Sequence, residues 1–242
     1  MGTHRSAIEP LRALRGFRRL VADKEDTAQV FVIMDALSGR SIPRGYARLL
    51  DTPEGGRQAY LGVEFADRLQ DAAWLAALPD DSVGAAYRAF IGARDISAYG
   101  LAEESRAVAG LEIDAAHPTA WYARRLRDVH DIWHVLTGYG TDALGEACVV
   151  AFSHPQARSA GFALIAAGAA LEFEKLGKGH PYARAIWQAW RHGRRAAWLP
   201  ALDYEALLAE PLAAARVRLR IAPPTIYQAV PPEARNGYRF DG

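Results

Sequence analysis

An all-α fold is predicted: a helical bundle with a metal-binding helical hairpin and an extended C-terminal tail. Three observations predict it. Apolar residues recur at spacings of three and four through most of the chain, the mark of helices that bury one side. No run of alternating polar and apolar residues bounded by hairpin turns stands out. Several prolines sit where helices open, and the Gly-rich clusters fall between periodic segments. At 242 residues the chain can bury a core without staples, and neither of its turn-rich breaks is long enough to link independent domains. One domain over residues 1–242 is therefore expected.

The elements follow in order. The segment from Ile8, a helix over about residues 8–22, sets Arg12, Arg15, Arg18 and Arg19 beside Leu11, Leu14, Phe17 and Leu20. Such a basic amphipathic helix either packs its apolar side on the core or lies on an anionic membrane surface. Pro43 opens a helix after Ser41, and Asp51-Thr52-Pro53-Glu54-Gly55-Gly56 and Leu78-Pro79-Asp80-Asp81-Ser82 are breaks. Pro118 opens a helix after His117, and Pro155 after His154 and Pro181 after Gly179-His180 are further punctuation. The run Gly161 to Leu171 is apolar on all sides and predicts a buried helix. Its small residues let neighbouring helices approach closely, leave room for an apolar ligand, or form the interface of a homodimer. Ala160 to Leu171 ends at Glu172, short of the roughly 18 to 20 residues needed to span a bilayer. After Pro223-Pro224 the tail, about residues 223–242, reads as extended and wraps over the body.

Charge and cysteine narrow the function. Lys plus Arg number 29 against 28 Asp plus Glu, a net charge of +1, so nothing draws the whole molecule to nucleic acid and no such partner is expected. The N-terminus lacks the apolar core of a secretory signal. A single cysteine, Cys148, makes neither an internal disulfide nor a Cys-rich zinc site, and a reducing, cytoplasmic compartment fits best. Any metal must then be held by His and carboxylates.

One stretch supplies them: Arg127-Asp128-Val129-His130-Asp131-Ile132-Trp133-His134-Val135-Leu136-Thr137-Gly138-Tyr139-Gly140, then Thr141 to Glu146. At about 100° per residue, His134 falls about 40° from His130 and Asp131 about 100° from it, so two imidazoles and a carboxylate share one helix face. Gly138 and Gly140 stop that helix, Thr141 caps the next, and Glu146, about one and a half turns in, returns if the two helices form a hairpin. Two nitrogens and two oxygens suit zinc or ferrous iron, and not copper(I) or an iron–sulfur cluster. The competing account makes His130 and His134 hydrogen-bonded core residues. A zincin would need Glu where Asp131 stands, and a His-Asp phosphohydrolase would need ligands from His117, His154, His180 or His192.

The pattern His130-Asp131-x-x-His134, eleven residues, Glu146 resembles the signature of the coenzyme Q (ubiquinone) biosynthesis protein 4 family. Asp35-Ala36-Leu37-Ser38-Gly39-Arg40, the run Leu78 to Phe90 and His134-Val135-Leu136-Thr137-Gly138-Tyr139 look familial too. Trp190-Arg191-x-Gly193 and Arg216-x-x-Leu219-x-Ile221 are similar but less diagnostic. The resemblance implies that His130, Asp131, His134 and Glu146 hold one divalent metal ion, zinc or ferrous iron. It implies oxidative decarboxylation of a polyprenylated 4-hydroxybenzoate, with hydroxyl replacing the C1 carboxylate, or alternatively a lipid-binding scaffold whose metal is structural. It also implies a polyprenylated aromatic lipid and other ubiquinone-biosynthesis proteins as partners, and a peripheral place on the inner face of the bacterial inner membrane. As substrate contacts, Arg127 is expected to hold the carboxylate, with Trp133 or Tyr139 against the ring. Against these stand a surface ion pair for Arg127 and core packing for the two aromatics.

Overall fold

The structure, a computed structural model, describes residues 8–22, 28–93, 117–175 and 179–236. Among these residues there are no strands, and Ser82 and Pro211 form an isolated antiparallel bridge. The last part of the expected tail, residues 237–242, lies outside them.

Helices α1 (Pro10–Ala22) and α2 (Ala28–Ser38) pack on each other, and α3 (Ser41–Leu50) and α4 (Pro53–Leu61) follow. Thr52 starts α4, its hydroxyl accepting the Gly55 amide at 3.1 Å, which satisfies one of the first-turn donors that have no partner inside the helix. Short α5 (Phe65–Leu69) and α6 (Ala72–Ala76) lead to α7 (Val83–Gly92), capped in the same way by Ser82. Then come α8 (Pro118–Asp128), with His117 as its cap, and α9 (His130–Thr137), separated by Val129 alone. Helices α10 (Ala143–Ala157), α11 (Ala160–Lys175) and α12 (Tyr182–Arg195) form the centre. A 3-10 turn (Leu199–Ala201), α13 (Tyr204–Ala209) and α14 (Leu212–Arg218) follow, then two single turns, α15 (Thr225–Gln228) and α16 (Pro232–Arg235).

The core sits where α9, α10 and α12 meet α7 and α13. Leu136, Leu144, Cys148, Phe152, Ala185 and Ala189 are fully buried there, each large side chain worth about 1.5 to 3 kcal/mol in apolar area removed from water. Trp133 lies edge-to-face on Phe152, centroids 6.2 Å apart, and its indole N–H donates to the Tyr204 hydroxyl at 2.8 Å.

Several expectations are modified. The cap of α10 is Asp142 and not Thr141, because the Asp142 carboxylate accepts the Gly145 amide at 2.9 Å. Pro155 marks no break but lies in the last turn of α10, where its missing N–H leaves the Ala151 carbonyl without its intrahelical donor. Helix α1 turns Ala13 and Gly16 inward, while Leu11 and Leu14 stay exposed. Helix α11 is only partly covered: Phe17 of α1 sits against Gly168 and Met34 of α2 against Gly161, yet Leu171 is 66% exposed. Close helix packing therefore accounts for those two glycines. The tail is not extended: residues 221–224 form no regular element, and the Thr225 amide bonds the Pro223 carbonyl across a turn at Pro224. Beyond that it coils into α15 and α16, because burial of Tyr227, Val230 and Ala234 needs the closer side-chain spacing of helical turns.

Candidate metal centre

His130 and His134 come from consecutive turns of α9, their rings edge-to-face with centroids 4.8 Å apart. Gly138 ends α9 with φ of 76°, left-handed backbone that favours glycine. The turn through Asp142 then reverses the chain, and Glu146 falls in the first turn of α10. Gly145 makes the reversal tight, since a Cβ there would collide with the Gly140 carbonyl. One ligand atom each from His130, His134 and Glu146 thus lie within 4.8 Å of one another. A tetrahedral ion with bonds of about 2.0 to 2.2 Å spaces its ligands by roughly 3.3 to 3.6 Å. The His134 Nε2 to Glu146 Oε2 separation, 3.3 Å, already has that value.

The strongest sign that these residues fit a cation is the state of His134. Its Nδ1 lies 3.2 Å from the Tyr139 carbonyl, which can only accept, so Nδ1 carries a proton and Nε2 is the nitrogen that can offer a lone pair. That Nε2 is buried and makes no hydrogen bond, although Glu146 Oε2 is close enough for one; the distance suffices and the angle does not. An imidazole lone pair and a carboxylate oxygen 3.3 Å apart repel unless a positive charge lies near both. A buried imidazole whose one nitrogen is held by a backbone carbonyl, with its other nitrogen unpartnered beside a carboxylate, is an arrangement that suits a metal ligand.

The fourth expected ligand sits to one side. Asp131 Oδ1 is 3.5 Å from His130 Nδ1, and its carboxylate does not belong to the three-residue cluster. His134 is the dry wall of the site, with a fully buried side chain, whereas the Glu146 side chain is 37% exposed.

The expected substrate contacts are placed differently from one another. Arg127 donates from Nε and Nη2 to the buried carboxylate of its neighbour Asp128, at 3.0 and 2.9 Å. Burial pushes that carboxyl above its usual range, against the pull of Arg127. Trp133 is in the core on Tyr204. Tyr139 lines an open groove of about 370 Å³ together with Phe90, His134, Val135, Leu212 and Arg216. The Phe90 ring lies 5.3 Å from that of His134. Arg216 donates to the Val135 and Leu136 carbonyls at 3.0 and 2.9 Å, capping α9, where its charge also opposes the helix dipole. Sequence reasoning passed over Tyr227 and gave Asp142, Phe90 and Arg216 no place at the site, the last two standing only in family-like runs. Only Asp142 carried a local signal, as a capping residue ahead of an apolar run.

The model of the family described as Coenzyme Q (ubiquinone) biosynthesis protein Coq4 matches residues 21–225. The mitochondrial ubiquinone biosynthesis protein COQ4 homolog of Rattus norvegicus is 31% identical over 175 residues, which is 71% of this chain and 62% of that protein. Its counterpart in Mus musculus is 30% identical over 172 residues, again 71% and 62%. The chain therefore spans less than two thirds of the length of these curated relatives. A crystal structure from Nostoc punctiforme, described as a candidate ubiquinone biosynthesis protein, aligns over 89% of this chain and 99% of that one with a TM-score of 0.60. At 19% identity that likeness speaks for the fold alone.

Proposed function

The chain belongs to the Coq4 family of ubiquinone biosynthesis proteins, and from that premise we propose that it is a metal-dependent enzyme acting on a polyprenylated 4-hydroxybenzoate. The reaction is oxidative decarboxylation: the bond from C1 to the carboxylate breaks, CO2 leaves, and a hydroxyl takes its place. Ring acid plus an oxygen atom gives ring alcohol plus CO2, a two-electron oxidation that needs an external oxidant. The observation that carries the reading is the buried, unpartnered Nε2 of His134 lying 3.3 Å from Glu146 in a cluster with His130. His130, His134 and Glu146 would hold the ion, with Asp131 joining from the same helix. When bound, ferrous iron with open positions supplies redox chemistry that zinc does not.

The groove beside His134 suits the substrate in kind. Ala86, Ala89, Phe90, Val135 and Leu212 give it apolar walls for a ring and the start of an isoprenoid chain, with Tyr139 beside them. Peripheral membrane attachment is supported by exposed Leu11 and Leu14 on α1 among its arginines. It is supported also by α12, where exposed Trp187 stacks on Trp190 and Arg184, Arg191 and Arg195 line one groove. Among the described residues no helix is long and apolar enough to cross a membrane.

Metal analysis of anaerobically purified protein, beside His134→Ala, tests the reading. One iron per chain, lost in the variant, with oxygen uptake on a prenylated hydroxybenzoate, is the expected result. Zinc lost in the variant would keep the site but favour a structural metal in a pathway scaffold. No metal in either protein after reconstitution would refute the metal centre.

A further inference from the structure

The peptide unit between Tyr139 and Gly140 is held from both ends. Its carbonyl accepts from His134 Nδ1 at 3.2 Å, and its amide donates to the Tyr227 hydroxyl at 3.0 Å. Tyr227 in turn donates to Asp142 Oδ2, while Asp142 Oδ1 caps α10, the helix that carries Glu146. Every donor points the same way, from imidazole N–H to peptide to phenol to carboxylate, so each bond polarises the next. Arg235 lies on the Tyr227 ring, 4.3 Å from its centroid, and the Tyr139 ring meets it edge-on at 5.4 Å. Burial and the Asp142 carboxylate push the Tyr227 hydroxyl up to about 12, which keeps it a donor at neutral pH.

We propose that Tyr227 is a positioning residue of the metal centre, the middle of a relay from the Asp142 carboxylate through the 139–140 peptide to His134 Nδ1. The relay fixes the tautomer and aim of His134, as a carboxylate does when it contacts a metal-bound histidine directly. The same hydroxyl ties the turn to the cap of α10, so both ligand-bearing helices are set by one side chain from the tail. This inference rests on the metal reading above for its function, though the relay itself exists without a metal.

Tyr227→Phe removes only the hydroxyl and keeps the ring contacts. Competition with a chelator for Co(II), with the Co(II) absorption spectrum of the bound form, reads the effect. The expected result is affinity lower by about 10-fold or more with an altered spectrum, and a smaller loss in Asp142→Asn, which still caps α10 but lacks the charge. A folded Tyr227→Phe protein with lower thermal stability and unchanged Co(II) affinity and spectrum would make Tyr227 a tail anchor only. If Tyr227→Phe fails to fold, Asp142→Asn carries the test, and unchanged affinity and spectrum there overturn the relay. If the wild type takes no metal, ¹⁵N NMR of His134 decides separately. A single Nδ1–H tautomer that becomes mixed in Tyr227→Phe upholds the relay while the metal reading falls, and a tautomer indifferent to the substitution refutes it.

Discussion

Arg127 and Asp128 are adjacent in sequence and paired inside the protein, with side chains 13% and 4% exposed. The pair is not fully satisfied, since Arg127 Nη1 and Asp128 Oδ2 have no hydrogen-bond partner. Removing one member of such a pair leaves a buried charge alone, which costs about 3 to 5 kcal/mol, whereas removing both is close to neutral. Arg127→Leu is therefore expected to lower the free energy of urea unfolding by about that amount, and Arg127→Leu with Asp128→Leu to recover most of it. A loss of substrate affinity in the double variant, once folded, would assign Arg127 to the substrate as well. Trp133 teaches a related lesson. Its indole N–H is spent on Tyr204, a partner 71 residues away that no local pattern announces.

At the scale of elements, the hairpin of α9 and α10 was legible because its signals are local. Two His one turn apart, a glycine that can turn left-handed, and a carboxylate in the next helix are all within seventeen residues, His130 to Glu146. The spacing fixed which residues share a face. It did not fix where Asp131 points, since a short side chain about 100° round the helix from His130 is oriented by what packs beside it. The tightness of the turn was not legible either, because it depends on Gly145 touching the Gly140 carbonyl. Gly145→Ala is expected to destabilise the protein by roughly 1 to 3 kcal/mol, the range for forced overpacking. It should also weaken metal binding by spreading α9 from α10. Melting temperature and chelator competition would register the two effects, and unchanged metal affinity would show that the site tolerates a wider hairpin.

Over the whole molecule, a net charge of +1 conceals an uneven surface. Helix α12 carries Arg184, Arg191, Arg194 and Arg195 without an acidic residue, and the neighbouring cations Arg195 and Arg191 join burial in holding His192 below the usual imidazole range. Arginines beside an exposed tryptophan suit an interface where headgroup phosphates lie over acyl chains. Binding to vesicles containing anionic lipid should fall steeply with salt, and Arg191→Glu with Arg195→Glu should reduce it by about 10-fold or more at roughly 1 kcal/mol per lost cation. Equal binding to zwitterionic vesicles would discard this face as the docking surface. The bundle itself was readable from apolar periodicity, but the way α1 leaves Leu11 and Leu14 uncovered was not. Periodicity marks an apolar stripe and is silent on how much of it a neighbour covers.

The tie between the hairpin turn and the tail also orders events in time. Gly140 and Tyr227 are separated by 87 positions, so at ribosomal speeds of about 5 to 20 residues per second His130, His134 and Glu146 emerge on the order of ten seconds before Tyr227. During that interval the nascent chain presents two histidines and a glutamate without a settled geometry, open to whichever ion arrives. Docking of the tail then closes a long loop, at an entropic cost that grows only slowly with its length. On the metal reading, an ion captured before the tail docks meets a His134 whose tautomer and aim are not yet set.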